Sequence, residues 1–358
     1  MSEAERSSNM QTNAFLPPVL PEWAAAHSLH YQFLANQQLM LEDHTRTGLY
    51  HAGIVGNRRD FEGKVVLDVG AGTGILSLFA AQAGAKKVYA IEGTSAAEFA
   101  RTLVSHAGLS ERVEVIQSRL ADVELPSKVD VIISEPWGFF LFHERMIEAF
   151  VLARDRFLRE GGRVFPASAR LWLAPFVDDE LYDWRCRKVA FWHNPDFHGV
   201  DLTALADVAH RELFEMPTLG DFRPEALVAD AASYAFDFLA MPIGALGRIE
   251  LPFSFVVARD GLVHGIAGWF DVAFSGSERR VILSTSPHEP CTHWAQMRFL
   301  FRQPLEVRAG QRVQGRMIMV ANRQSSYDVT IESSAETAVP FAEHFFRLQS
   351  YYSWQGSE

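Results

Sequence analysis

Between residues 64 and 134, short apolar runs alternate with amphipathic ones, and this alternation restricts the fold more than any other feature of the chain. Segments 64–69, 87–91, 113–116 and 129–134 have the length and β-branched content of strands buried on both faces. Segments 75–83 and 95–107 carry apolar residues at helical spacing. Strands separated by single helices are joined by crossovers, and a doubly wound parallel sheet is the fold that buries them.

The first of these strands runs into a turn, VVLDVGAGTG from Val65 to Gly74. Gly70 and Gly72 permit a tight turn and let a ligand approach the backbone closely. Glu92 ends the next strand, where an acid can hold both hydroxyls of a ribose. Asp68 precedes the first glycine. An acid there repels a pyrophosphate but suits the cationic amino-acid end of S-adenosylmethionine, which favours that cofactor (product S-adenosylhomocysteine) over a dinucleotide. A structural strand–turn–helix corner without a ligand is the simpler alternative.

A second constellation follows the strand 129–134. In SEPWGFFLFHERM, from Ser134 to Met146, eight residues separate Glu135 from Glu144. A turn holding Pro136 and Gly138 lets the chain double back, so that both carboxylates can face one small volume. Two inward acids repel each other and lose hydration. A guanidinium, planar and able to bond both, removes that penalty. The alternative is a solvated loop acid at 135 and a helix N-terminal acid at 144, opening a helix over 144–158.

The 358 residues predict two domains, and the 48% hydrophobic content supplies their cores. The balance of 33 Lys and Arg against 44 Asp and Glu argues against binding a nucleic-acid backbone and for a basic partner. No apolar run approaches the roughly 20 residues that span a bilayer, so no membrane association is expected. Two cysteines, Cys186 and Cys291, fit a reducing compartment. The histidines are scattered and predict no metal. The start of the chain lacks an apolar signal core, so the expected location is the cytoplasm, with the nucleus as a second compartment. Residues 1–21, polar and then Pro-rich, read as a mobile segment, and 22–163 as the cofactor domain with N-terminal helices. After Gly161 and Gly162 the pattern becomes strand-rich (164–358), with strands expected at 248–257, 261–274, 279–285, 294–301, 312–321 and 327–333. A helical insertion over about 179–216 interrupts it, carrying Tyr182, Trp184, Phe191, Trp192 and Phe197 as apparently exposed aromatics.

These motifs, with RTG at 46–48, LAPF from Leu173, FHGVDL from Phe197, GLVHGIAGWFDVAF from Gly261 and THW at 292–294, resemble the protein arginine methyltransferases. The similarity is greatest to the type I, coactivator-associated subtype and covers about 27–333. It implies a Rossmann-like cofactor domain followed by an antiparallel β-barrel-like domain with a helical dimerisation arm. By position it assigns Gln37, Arg46, Asp68, Gly70, Gly72, Glu92, Ala121 and Met146 to the cofactor, with Arg46 meeting its carboxylate. Glu135 and Glu144 become the clamp on the substrate arginine, with Asp43 and His293 as an adjacent dyad able to relay a proton. Tyr31, Met40 and Trp294 line the substrate side. The implied products are monomethyl and asymmetric dimethylarginine, the substrates are arginine-containing proteins of basic or Gly/Arg-rich character, and the assembly is a homodimer whose arm docks near Leu76 and Phe99.

The chain also departs from the family pattern. Ala121 stands where a glutamate usually meets the adenine, with Asp122 as its substitute. Trp137 and Phe139 replace Met and Tyr, narrowing the active-site rim. His27 and Ser28 replace a Tyr-Phe pair in the N-terminal lid. Ala121 and the altered N-terminal pair keep open a catalytically weak or silent member that regulates another methyltransferase. A small-molecule methyltransferase has no need for the strand-rich half.

Overall fold

The computed structural model describes residues 16–335, 342–348 and 352–353. Residues 1–15 of the expected mobile segment lie outside them, and Pro21 already opens a helix. Three helices come first: α1 (Pro21–Tyr31), α2 (Leu34–Glu42) and α3 (His44–Val55), followed by the single turn α4 (Arg58–Phe61). Proline at the first position suits α1, since its missing N–H has no helical partner to lose. Asp43 separates α2 from α3 and caps the latter, its carboxylate accepting the Arg46 N–H at 2.8 Å.

The alternating region forms β1 (Val65–Val69), α5 (Ile75–Gln82), β2 (Lys87–Glu92), α6 (Ala97–His106), β3 (Val113–Gln117) and β4 (Val129–Ser134). After α7 (Ile147–Phe157) the chain enters β5 (Leu158–Phe165). All five strands are parallel, in the order β3-β2-β1-β4-β5. β1 lies at the centre, and the strand order reverses there. A ligand crevice forms at such a point, beyond the carboxyl ends of the strands. β5 was not expected as a strand: its glycines suggest a break, yet Gly161 takes φ 69° and the strand pairs on to Phe165.

The second half is built from two sheets packed against each other. One contains β6 (Ser168–Phe176), β7 (Thr218–Leu219), β8 (Ala232–Asp237), β10 (Gly261–Ser275), β11 (Arg280–Ser284), β12 (Met297–Val307) and the terminal β16 (Tyr352–Ser353). The other has the order β15-β14-β13-β9, from β9 (Arg248–Val256), β13 (Arg312–Ala321), β14 (Tyr327–Ala335) and β15 (Ala342–Arg347). β9 alternates buried and exposed positions along its length, as a strand with one wet face does. Apart from β16 against β7, the pairs in these sheets are antiparallel.

Between β6 and β7, α8 (Asp179–Ala190) and α9 (Ala206–Glu215) form the arm. Here the structure corrects an expectation. Tyr182, Trp184 and Trp192 are half-buried against a core that Leu181, Val189, Leu213 and Phe214 of the arm share with Phe176, Ala267 and Leu300 of the barrel strands, and of the five only Phe191 and Phe197 are exposed. Arg185, fully buried in α8, fastens the two helices by donating to the Leu213 and Met216 carbonyls and to Thr218 Oγ1. No helix among the described residues is long and apolar enough to cross a membrane.

Candidate active site

A cavity of about 950 Å³ opens at the carboxyl ends of β1 and β4, covered by α1 and α2. Its wall includes Tyr31, Gln37, Met40, Arg46, Gly70, Gly72, Glu92, Glu135, Glu144, Met146, His293 and Trp294. Among the site residues expected from sequence, Asp43, Asp68 and Ala121 are missing from that wall.

The glycine turn holds Gly70, Gly72 and Gly74 at φ 73°, 54° and 77°. A Cβ on Gly72 would stand 2.7 Å from Gln37 Oε1, so the lid lies directly on the turn. Glu92 braces it from the other side: Oε2 accepts the Gly72 N–H at 2.9 Å, and Oε1 accepts the Thr94 N–H and hydroxyl at 2.8 and 2.7 Å. Asp68 is fully buried beneath the turn. Ser77 donates to its Oδ2 at 2.7 Å while Oδ1 has no partner. Burial, opposed by the Ser77 hydrogen bonds, pushes its carboxyl up to about 7. An unsatisfied buried carboxylate oxygen behind a glycine cradle fits the cationic amino-acid end of S-adenosylmethionine. Ala121 is exposed; the adjoining wall is made by Ser118, Arg119 and Leu120, and Asp122 is exposed as well. The short helical turn Leu120–Asp122 thus leaves both side chains exposed and outside that wall.

Glu135 begins where β4 ends. Its Oε2 accepts from Arg46 Nε at 3.1 Å and Nη2 at 2.7 Å, and its Oε1 accepts the Trp137 N–H at 3.2 Å. Both side chains are about nine-tenths buried. Burial raises the Glu135 carboxyl above its usual range, with the Arg46 charge opposing it. The remaining donors of Arg46 include Nη1 on the Met40 carbonyl at 2.6 Å. In this structure Arg46 thus faces Glu135, a contact that the spacing along the chain did not suggest.

Glu144 differs from expectation in backbone. The helix starts at Ile147, not at 144; Glu144 sits in a single 3-10 turn with φ 71°, and Phe140, Leu141 and Arg145 also have positive φ. Four left-handed residues in one short loop are costly for non-glycine side chains. They fold the segment back so that Glu144 reaches the cavity wall that Glu135 also lines. Ser325, in the turn before β14, ties it down by donating to the Glu144 carbonyl at 2.9 Å. Tyr31 OH donates to Glu144 Oε2 at 2.8 Å, and His27 Nε2 stands 3.3 Å from the same oxygen. Burial works to raise this carboxyl, but His27, His143 and Tyr31 hold it below its ordinary value.

His293 Nδ1 lies 2.7 Å from Asp43 Oδ2, and its N–H donates to the same oxygen at 2.9 Å. Burial of Asp43 works against ionisation, yet these bonds and the Arg46 N–H keep its carboxyl low. Trp294, expected to begin a strand, precedes β12 in a loop; its Nε1 donates to the Trp137 carbonyl at 2.9 Å. Trp137 does more than line the rim. Its Nε1 donates to Tyr50 OH at 2.7 Å, and its ring packs on Phe238 and Phe150. Phe139 stacks on His143. Leu76, expected to receive an arm, is buried in the core, and Phe99 is half-buried. Sequence reasoning placed His27 only in the lid and did not single out His143; the departure from an aromatic pair at 27–28 was the one signal available.

Comparison with known proteins adds the family. Residues 66–162 match a methyltransferase domain and residues 167–337 the arginine methyltransferase oligomerization subdomain. The solved structure of Arabidopsis thaliana protein arginine methyltransferase 10, described as uniquely open, superimposes with a TM-score of 0.81 at 32% identity, covering 88% of this chain and 98% of that one. The chain belongs to the protein arginine methyltransferase family. A Trypanosoma brucei arginine methyltransferase, solved as an enzyme–prozyme heterotetramer with AdoHcy, also reaches 0.81 at 30% identity, covering 89% and 99%. Curated family members include a probable histone-arginine methyltransferase of rice, 47% identical over 308 residues, 86% of this chain and 58% of that protein. A histone-arginine methyltransferase of Drosophila grimshawi is 42% identical over 93% of this chain and 61% of its own. The chain thus spans less than two thirds of these curated relatives.

Proposed function

We propose that this chain is an S-adenosylmethionine-dependent protein arginine N-methyltransferase of type I, forming monomethyl and asymmetric dimethylarginine. The observation that carries the reading is the pair Glu135 and Glu144 on one cavity wall, with Glu135 already holding a guanidinium, that of Arg46. When bound, the cofactor supplies an electrophilic methyl on a sulfonium. Gly70 and Gly72 would cradle it, Glu92 would hold its ribose and Asp68 would offset its positive charge from behind the turn.

The two glutamates hold the substrate guanidinium and draw its positive charge away from the attacking nitrogen, which is otherwise a poor nucleophile. They also fix its approach, and orientation of that kind lowers barriers strongly. For a substrate to use Glu135 fully, Arg46 must yield part of its grip, and a cofactor carboxylate would give Arg46 another partner. Met40 and Met146 leave flexible space for a second methyl on the same nitrogen. The Asp43–His293 pair, near Glu135, offers a path for a proton to solvent.

The partners that fit are basic or Gly/Arg-rich proteins, including histones as the relatives' names indicate, with work in the nucleus as well as the cytoplasm. The arm supports a homodimer: exposed Phe191, Phe197, Val200 and Leu205 face solvent there, and Leu29, Leu34 and Leu39 on the lid helices and Phe33 between them are exposed too. A closed two-fold dimer that joins these surfaces would stiffen the lid. The closed Arg46–Glu135 pair and the prozyme of the trypanosome complex keep a second reading in view, a non-catalytic regulatory subunit.

Calorimetric titration with S-adenosylmethionine, followed by mass spectrometry of a Gly/Arg-rich peptide incubated with the loaded chain, separates the two. Gains of one and two methyl masses on arginine support catalysis; cofactor binding without methylation, restored only by a partner enzyme, supports the regulatory role.

A further inference from the structure

Methyl transfer to a guanidinium leaves a proton to be disposed of, and the two acids at the site are not equally able to take it. Glu135 is held by Arg46 through Oε2 and by the Trp137 N–H through Oε1, and whatever part of Oε2 Arg46 yields is taken up by the substrate guanidinium. Among the described residues, the Glu144 carboxylate is contacted through Oε2, by Tyr31 OH at 2.8 Å and His27 Nε2 at 3.3 Å. His27 Nε2 is buried and makes no aligned hydrogen bond, while its side chain remains one-quarter exposed at another edge. An imidazole between a carboxylate and solvent is placed to carry a proton, a task that a lid residue serving only to cover the cavity does not need.

We propose that His27 sets the charge state of Glu144. As neutral imidazole it receives, through Glu144 Oε2, the proton lost by the methylated guanidinium; as imidazolium it occupies Glu144 and weakens the hold on an incoming arginine. The inference rests on the methyltransferase reading of the site and adds a positioning residue to it. The balance is complete. A nitrogen–carbon bond forms, the methyl's bond to sulfur breaks with its electron pair left on sulfur, and the N–H proton passes to Glu144 and then to His27, which releases it to solvent in place of the Asp43–His293 path on the Glu135 side. Guanidinium and sulfonium enter as two cations; methylguanidinium and imidazolium leave as two.

Other charged groups face this point. Tyr31 and His27 pack with ring centroids 4.7 Å apart, and His30 lies beside Tyr31. Burial lowers the His143 imidazole from its usual value, with Glu144 opposing, and its Nδ1 lies 2.8 Å from Ser326 Oγ. Glu135 with Arg46 and Asp43 with His293 complete the surroundings. Burial also raises the Glu135 carboxyl, so the His27 contribution is read only against variants that leave Glu135 intact.

His27→Tyr keeps a ring able to donate to Glu144 but unable to accept a proton near neutral pH, and His27→Asn is a second, smaller replacement. Affinity for an arginine peptide is measured by calorimetry with S-adenosylhomocysteine bound, at about pH 6 and about pH 8. The expected result is that the native chain loses about fivefold more affinity at the lower pH than either variant does, the scale of one partly exposed ion pair. At about pH 8 both variants should lose at least about tenfold in kcat with KM little changed, and added imidazole should restore rate to His27→Ala. Equal pH dependence and equal kcat in native and variant chains would overturn the role of His27 while leaving the methyltransferase reading intact. A native chain that neither binds nor methylates the peptide would overturn both.

Discussion

Glu135 and Glu144 have the same chemistry and line the same cavity, yet they are held by different parts of the molecule. Glu135 stands at the end of a central parallel strand and is locked by a buried guanidinium and a backbone N–H. Glu144 stands on a left-handed turn, tied to a barrel loop through its carbonyl and to the lid through its carboxylate. One acid belongs to the scaffold. The other is assembled from three separate segments, so its charge and position depend on whether the lid is in place. The site is therefore complete only when α1 lies over it, and the difference between the acids suggests how substrate access and cofactor cover are linked.

Neutralising either acid is the largest expected effect. Glu135→Gln and Glu144→Gln should each lower methylation more than about 100-fold, the scale of removing one preorganised electrostatic partner. Cofactor affinity should stay within about threefold of native for Glu144→Gln, checked by calorimetry; a large loss there would show that the lid, and not only the substrate, depends on this acid. Removing the internal cation sharpens the contrast. Arg46→Met leaves Glu135 buried and unpaired and should destabilise the chain by about 3 kcal/mol or more, measured by urea unfolding at neutral pH. No equivalent change in the surroundings of Glu144 should approach that value, because its partners are hydroxyl and imidazole groups near solvent.

A third acid tests the scaffold side without touching substrate. Asp68 is raised to about 7 from 3.8, so the folded chain binds more protons than the unfolded chain between those values. Stability is then lost as pH rises from about 4 to about 7 and is level above, at up to about 1.4 kcal/mol per unit. Asp68→Asn removes that slope. Without cofactor it should melt above the native chain at pH 8, and the gap should close near pH 4.5. A constant gap would mean that Asp68 is ionised throughout. The smallest effect is expected at Ala121→Glu. The side chain points to solvent, so cofactor affinity should change less than about twofold, whereas a gained adenine hydrogen bond would add roughly 0.5–1.5 kcal/mol.

What the sequence disclosed, and what it did not, follows the range of the interactions. The glycine turn, Glu92 at the end of β2 and the alternating strands were legible because each depends on neighbours in the chain. The helix expected at Glu144 begins at Ile147 because positive φ at four residues is set by tertiary contacts, not by helix propensity. The aromatics of the arm were read as exposed because nothing local reveals that α9 covers α8. His27 against Glu144, Arg46 against Glu135 and Trp137 against Tyr50 are contacts between distant segments, and only the fold brings them together.

The central claim, that both acids act on one guanidinium, is tested most directly by the double substitution. Methylation rates are compared for native, Glu135→Gln, Glu144→Gln and the combined variant, using one arginine peptide at saturating cofactor. Groups that act as a unit are not additive, so the double variant should fall within about tenfold of the weaker single variant. Losses that multiply, to about 10,000-fold or beyond, would mean that the two glutamates serve separate steps and would contradict the account.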